Sequence, residues 1–281
     1  MRQVDVADIA DAVAKLCIEA NCILPADVEE ALINAREKEE SGLGKEILGD
    51  ILTNAEIAKA GLMPICQDTG LAVFFVELGQ DVCFVGGDFN EAMDEGVRRG
   101  YREGFLRYST VDDPIVARKN LGDNTPAIVH LRIVPGTAVK ITVAPKGAGS
   151  ENMSALGMLT PSAGAEGLMR FVIDTVEKAG PNPCPPIVVG VGVGGTMEKT
   201  ALLAKQALLR SIGEANPNPD IANLERELLA AINDLGIGPQ GFGGRITALA
   251  VHMETFPAHI ASMPVAVNLQ CHVARHRTVT I

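Results

Sequence analysis

Residues 181–195, PNPCPPIVVGVGVGG, constrain the fold of this 281-residue chain more than any other stretch. The unbroken apolar run IVVGVGV, with prolines before it and a helix-like segment after it, reads as a strand buried on both faces. Gly190, Gly192 and Gly195 satisfy G-x-G-x-x-G. That pattern cradles a dinucleotide only when the next helix leads to a second strand ending in an acidic residue about 20 positions on. Here the helix runs into SIGEANPNPDIANLE, a polar loop followed by another helix. The nucleotide reading therefore fails, and the glycines are expected to let the strand pack closely on neighbouring backbone.

The partners of that strand must be aliphatic, because the chain has no Trp, two Tyr and eight Phe. Apolar residues make up 47% and charged residues 21%, a globular balance able to build one large domain or two smaller ones. The net charge of −11 argues against nucleic acid or an anionic membrane surface as partner. A small anionic substrate stays open, since a few local arginines or lysines reverse the sign inside a cleft. No apolar run is long enough to span a bilayer. The N-terminus, MRQVDVADIADAVAKL, is acidic and amphipathic, unlike a secretory or transit peptide, so a cytoplasmic protein is expected.

Ile9, Val13, Leu16, Cys17 and Ala20 fall at helical spacing. A second helix is expected from about Pro25 through AREKEE and a third through KEILGDILTNAEIAKA, with Gly61 as its C-cap. Residues 1–62 thus read as a helical lobe and 63–281 as an α+β region, the two expected to form one continuous unit, 1–281. Strand character marks 71–78 and 81–87, and 90–107 reads as a helix. Segments 127–134 and 138–144, joined by Pro135-Gly136, signal a hairpin. A Gly-rich loop, KGAGSENMS, follows. Helices are expected at 163–179, 197–211 and 221–235, and strands at ITALAVHM and MPVAVNLQCHV. The mixture favours an α+β fold of mixed and antiparallel sheets with packed helices.

The six cysteines, at 17, 22, 66, 83, 184 and 271, form no CxxC. Cys17 lies on the apolar stripe of a helix, Cys83 inside a strand and Cys22 after a helix end, so these read as core or incidental thiols. Cys66, Cys184 and Cys271 stand at element boundaries beside polar residues. Three such thiols from distant segments could bind zinc, with His252, His259, His272 or His276 nearby in sequence, or an iron–sulfur cluster. A cubane cluster with three thiolates leaves one iron open to act as a Lewis acid. Spacing alone does not choose between these, nor against three unrelated thiols.

The motifs PICQDTG, FLRYSTVDDP, PKGAGSENMS, CPPIVVGVGVGG, LGIGPQGFGG and AHIASMPVAVNLQCHVARH, in this order, resemble the alpha subunits of two-subunit class I fumarate hydratases, a family that includes L-tartrate dehydratase. The resemblance runs along essentially the whole chain. It implies a [4Fe-4S] cluster on Cys66, Cys184 and Cys271, and a dicarboxylate substrate contacted by Gln67, Asp68, Arg107, Gly149, Asn152 and His259. Asp68 or His259 would protonate the leaving hydroxyl. Each residue also has a plainer reading: an Asx turn for Asp68, a structural hydrogen bond for His259, a surface ion pair at a helix end for Arg107. The loop has KGAGS where many relatives have KGGGS, a mild departure, and its SENMS run is closer to the fumarase form than to the tartrate form. The resemblance further implies a separate beta subunit, carrying the base that acts at substrate C3, and a homodimer contact within an α2β2 assembly. A zinc hydrolase and a catalytically silent scaffold subunit are the competing readings.

Overall fold

In chain order the computed structural model, which describes residues 1–281, runs β1 (Arg2–Asp5), α1 (Val6–Cys22), α2 (Ala26–Lys38), α3 (Gly42–Gly61), β2 (Leu71–Gly79), β3 (Val82–Val85), α4 (Phe89–Glu103), β4 (Ile128–Val134), β5 (Val139–Lys146), α5 (Ala148–Glu151), β6 (Ala155–Leu159), α6 (Gly164–Ala179), β7 (Ile187–Gly194), α7 (Met197–Ala207), α8 (Pro219–Asn233), β8 (Ala248–Phe256), β9 (Met263–Gln270) and β10 (Arg277–Thr280). The fold is α+β, as the element pattern implies. The chain divides into two units: residues 1–25, 54–147 and 275–281 form the first, and 26–53 with 148–274 the second. The first division falls between α1 and α2, and the next inside α3.

In the first unit Asp5 caps α1 by accepting from the Ala7 N–H at 2.9 Å, and Asp88 caps α4 by accepting from Asn90 and Glu91. Ile9, Val13, Leu16, Cys17 and Ala20 are buried, as their spacing implies. Gly96 and Gly100 let α4 lie tightly on α1: a β-carbon at either would overlap the α1 backbone at Ala10 or Ala14. Beside the helices is a four-stranded sheet of order β10-β5-β2-β4. Phe74 and Val76 of β2 and Ile141 and Val143 of β5 share its core with Met93, Val97 and Tyr101 of α4.

The expected hairpin between 127–134 and 138–144 does not form. β2 lies between the two segments, antiparallel to β5 and parallel to β4, with Phe74 opposite Val143 on one side and Val129 on the other. The strand LAVFFVEL is apolar on both faces and takes the central place, where it gains two hydrogen-bonded neighbours. Residues 135–138 only have to cross two strand spacings, about 10 Å. They do so over the end of β2, where the N–H groups of Gly79, Gln80 and Asp81 donate to Ala138, Val134 and Gly136 carbonyls. β1, which the sequence did not signal, pairs in parallel with β3.

In the second unit the sheet order is β6-β9-β7-β8. β7 is the buried strand expected from IVVGVGV, parallel to β8 and antiparallel to β9. Ile187, Val189 and Val191 face a core with Leu168, Val172, Leu228 and Ile232. On the opposite face Gly190 and Gly192 meet α7, where a β-carbon would overlap the Ala204 and Thr200 carbonyls. The glycines thus serve helix-on-strand packing, as the failed nucleotide motif implies. β6 and the short α5 inside KGAGSENMS are additions to the sequence reading.

Candidate active site

In the first unit, Cys66 opens the turn Gln67-Asp68-Thr69-Gly70 that leads into β2. Ile65 before it is pinned on both sides: its N–H donates to the Asn21 carbonyl at 2.9 Å, and its carbonyl accepts from Asn54 Nδ2 at 2.8 Å. Asp68 Oδ1 accepts from the Gly70 N–H at 3.0 Å, so the Asx turn is present. Gly70 has φ +72°, and a β-carbon there would overlap the Lys146–Gly147 peptide, so the turn closes on glycine.

The carbonyls of this turn are held by side chains. Arg275 Nη2 donates to Asp68 at 2.6 Å, and Tyr101 Oη donates to Thr69 and Gly70 at 3.2 and 2.9 Å. Asn124 Nδ2 adds a second bond to Gly70 at 3.2 Å. Buried carbonyls require such partners, and here the partners come from distant parts of the chain.

Thr69 Oγ1 accepts from the Arg107 N–H at 2.9 Å, which sets the Arg107 backbone beside the turn. Arg107 Nη1 donates to Gln67 Oε1 at 2.9 Å. The helix α4 has already ended at Glu103, and the surface ion pair considered for Arg107 is not formed. Gln67 and Arg107 are both exposed, which leaves a planar guanidinium facing solvent beside Gln67.

In the second unit, Cys184 and Cys271 lie at one end of the sheet. Val188 of β7 pairs with Gln270 of β9, and the His272 N–H donates to the Cys184 carbonyl at 3.2 Å. The Gly-rich loop reaches the same end. Ser154 Oγ accepts from the Leu269 N–H at 3.2 Å, and Glu151 bridges Asn268 Nδ2 at 2.9 Å and Lys205 Nζ at 2.6 Å. Gly149 is exposed and approaches the Asn182 carbonyl, near enough that a β-carbon would stand 3.3 Å from it. Asn152 is exposed and borders a cavity of about 290 Å³ with Met153, Phe171, Asp174 and Lys178.

His259 sits elsewhere in this unit. It precedes the start of β9, whereas Cys271 follows its end. The eight-residue strand between them spans about 25 Å. His259 is exposed, and its Nδ1 accepts from the Ala261 N–H at 3.1 Å, the structural hydrogen bond considered for it.

None of the six cysteines is in a disulfide. Cys17 and Cys22 are fully buried; burial pushes the Cys17 thiol up to about 12, and raises Cys22 against the pull of Arg275. Both are poor sources of thiolate. Cys83 is half-buried in β3, its Sγ 3.7 Å from the Phe84 carbonyl. Cys184 is exposed, and Cys66 and Cys271 are half-buried. No group of three or more His, Cys, Asp or Glu side chains forms a cage for a metal ion. The accessible thiols at the turn and at the sheet end are soft donors of the kind an iron–sulfur cluster takes, and in chemistry they fit it.

Thr69, Tyr101, Asn124, Gln240 and Arg275 were not singled out from the sequence. Gln240 and Arg275 fall inside GPQGFGG and CHVARH, two of the motifs that carry the resemblance. Nothing local marks Tyr101 or Asn124, which reach the turn through tertiary structure.

Residues 10–280 match the family model described as fumarate hydratase (Fumerase). A Methanocaldococcus jannaschii protein, provisionally named an L(+)-tartrate dehydratase alpha subunit, is 45% identical over 277 residues, 95% of each chain. The L(+)-tartrate dehydratase alpha subunit of Escherichia coli K12 is 32% identical over 282 residues, covering 100% of this chain and 93% of its own. The protein of that name from Shigella sonnei gives the same figures.

Proposed function

Because this chain belongs to the fumarate hydratase (Fumerase) family, we propose that it is the alpha subunit of an iron–sulfur hydro-lyase that interconverts fumarate and malate. The gathering of Cys184, Cys271 and the Gly-rich loop at one end of the second sheet supports this reading most. Cys66, Cys184 and Cys271 would hold a [4Fe-4S] cluster, which when bound supplies an open iron as Lewis acid for the hydroxyl and its adjacent carboxylate. The remaining work falls to side chains. Arg107, oriented by Gln67, grips a substrate carboxylate through its exposed guanidinium. N–H groups around Gly149 and the Asn152 side chain receive the other end of the anion.

The departing hydroxyl needs a proton. His259 Nδ1 already accepts an N–H, so the tautomer in place carries its proton on Nε2 and orients an oxygen better than it protonates one. Asp68, whose Oδ1 holds the turn, is the side chain that would give this proton. General acid help of this kind contributes about 10²–10⁴-fold. Since β9 separates His259 from Cys271 of the same chain, His259 would enter the reaction from a second copy, consistent with a homodimer inside an α2β2 assembly. The names of the relatives as alpha subunits support a separate beta subunit, which would supply the base at C3. A cytoplasmic setting, where thiols stay reduced, suits six cysteines with no disulfide among them.

The relatives' names favour a second substrate, L(+)-tartrate, in the same site. The test is anaerobic reconstitution with iron and sulfide in the presence of the beta subunit, followed by assays on malate and on tartrate. Turnover of malate above tartrate supports the reading; turnover of tartrate alone replaces the substrate, and turnover of neither with an intact cluster favours a scaffold. Mixing Cys184→Ser with His259→Asn chains tests the shared site, because activity returns only if one copy serves the other.

A further inference from the structure

Arg275 is 3% exposed, a guanidinium inside the first unit. One of its nitrogens, Nη2, donates to the Asp68 carbonyl; Nε and Nη1 are buried with no hydrogen-bond partner. No carboxylate pairs with it. Arginine keeps its charge at any ordinary pH, and a buried charge is costly unless it is compensated. One carbonyl dipole falls short of that. The Asp68 carboxylate lies on the same turn, yet it makes no ion pair with Arg275, and its Oδ1 serves the Gly70 N–H. Tyr101 and Cys22 do not supply an anion either. Burial raises the Tyr101 hydroxyl and the Cys22 thiol, and although Arg275 pulls both down, both stay neutral. A chain selected for stability alone would carry an apolar side chain here, or an acid beside it.

We infer that Arg275 is the counter-charge for an anionic group borne by the 66–70 turn, and that in the assembled enzyme this group is the thiolate-ligated iron–sulfur cluster. The inference rests on the assignment of Cys66 as a ligand. Arg275 is a positioning residue: its Nη2 bond fixes the Asp68 carbonyl, and its charge acts through the low-dielectric interior without touching substrate. Cluster potentials follow net charge and local hydrogen bonding, so a cation at this place makes reduction easier. The same charge destabilises the metal-free protein and stabilises the loaded one.

The test compares wild type with Arg275→Met, which keeps length and removes charge, and Arg275→Lys, which keeps charge and removes the planar fork. Each is prepared with its beta subunit, melted metal-free and after anaerobic loading, and titrated for the cluster potential. Metal-free Arg275→Met should melt at or above wild type, gain fewer degrees on loading, and show a more negative potential. Arg275→Lys should keep a wild-type loading gain and potential. An Arg275→Met protein that melts lower metal-free, or does not fold, overturns the inference, as does one with an unchanged potential. Cys66→Ser, carried in parallel, separates the two claims. If it loads a full cluster, the ligand assignment fails, while the metal-free melts still decide whether the charge of Arg275 is uncompensated.

Discussion

Gln240 holds the chain beside Cys184 from two directions: its backbone N–H and its Nε2 both donate to the Pro185 carbonyl, at 2.8 and 2.7 Å. Both residues occupy the left-handed region, with φ +52° at Gln240 and +57° at Cys184. Gln240 Nε2 also lies 3.1 Å from His272 Nδ1, which is 3.1 Å from the Cys184 carbonyl. A left-handed residue with a β-carbon persists only where its surroundings insist on it, at about 1–3 kcal/mol each. Two such residues, linked through Pro185 and His272, mark a segment set for something other than stability.

Gln240→Gly relieves the strain and loses the side-chain bonds, two effects of about 1 kcal/mol each that roughly cancel. Gln240→Ala loses the bonds and keeps the strain. Urea unfolding should therefore rank wild type and Gln240→Gly close together, with Gln240→Ala lower by about 1–2 kcal/mol. An alanine variant as stable as the glycine variant would show that φ at this position carries no strain.

Tyr101→Phe removes the hydroxyl that serves the Thr69 and Gly70 carbonyls. Gly70 keeps its bond from Asn124, but Thr69 loses its side-chain partner. The expected loss is about 1–2 kcal/mol in chemical unfolding. Because Thr69 also fixes Arg107, the residue proposed to grip a substrate carboxylate, the variant should raise KM for malate more than it lowers kcat. A fall in kcat at unchanged KM would place Tyr101 in the chemistry instead of in carboxylate binding.

The buried strand β7 and the helices around it were legible in the sequence because each has a local cause: an apolar run, a 3.6-residue period, a boundary of proline and glycine. Strand order was not. The Pro135-Gly136 signal is a correct statement about a turn, yet β2, some fifty residues upstream, fills the space between the legs. The same distinction divides the site. Asp68 in its Asx turn is visible in QDTG, while the groups that fix the turn, Tyr101, Asn124 and Arg275, are brought in by folding.

Gly192→Ala tests what the G-x-G-x-x-G glycines do. A β-carbon at Gly192 would run into the Thr200 carbonyl and the Ala204 N–H of α7, so α7 must shift off the sheet, at about 3 kcal/mol or more. Gly122→Ala is the control: its φ is +83° with open space around it, and only backbone strain of about 1 kcal/mol applies. Equal losses for the two variants in urea unfolding would sink the packing explanation for β7.

Glu39 gives the second unit a defined acid sensitivity. It is 1% exposed. Oε1 accepts from the N–H groups of Glu40, Ser41 and Arg245 at 2.8, 2.9 and 2.8 Å, and Oε2 accepts from Ile246 at 2.8 Å. Burial works to raise its pKa, but these four bonds outweigh burial and hold it below the ordinary 4.5. A carboxyl depressed by folding stabilises fully above its unfolded value and loses that contribution as pH falls through its folded value. Glu39→Gln, which turns an amide toward several of the same donors, should cost about 2–3 kcal/mol at pH 7. The difference from wild type should begin to shrink below pH 4.5, where the unfolded chain takes up the proton first and the folded carboxyl follows at lower pH. Urea unfolding at pH 7, 5 and 4 reads this directly. A difference that stays constant across that range would mean Glu39 stabilises the 244–246 segment by shape and not by charge.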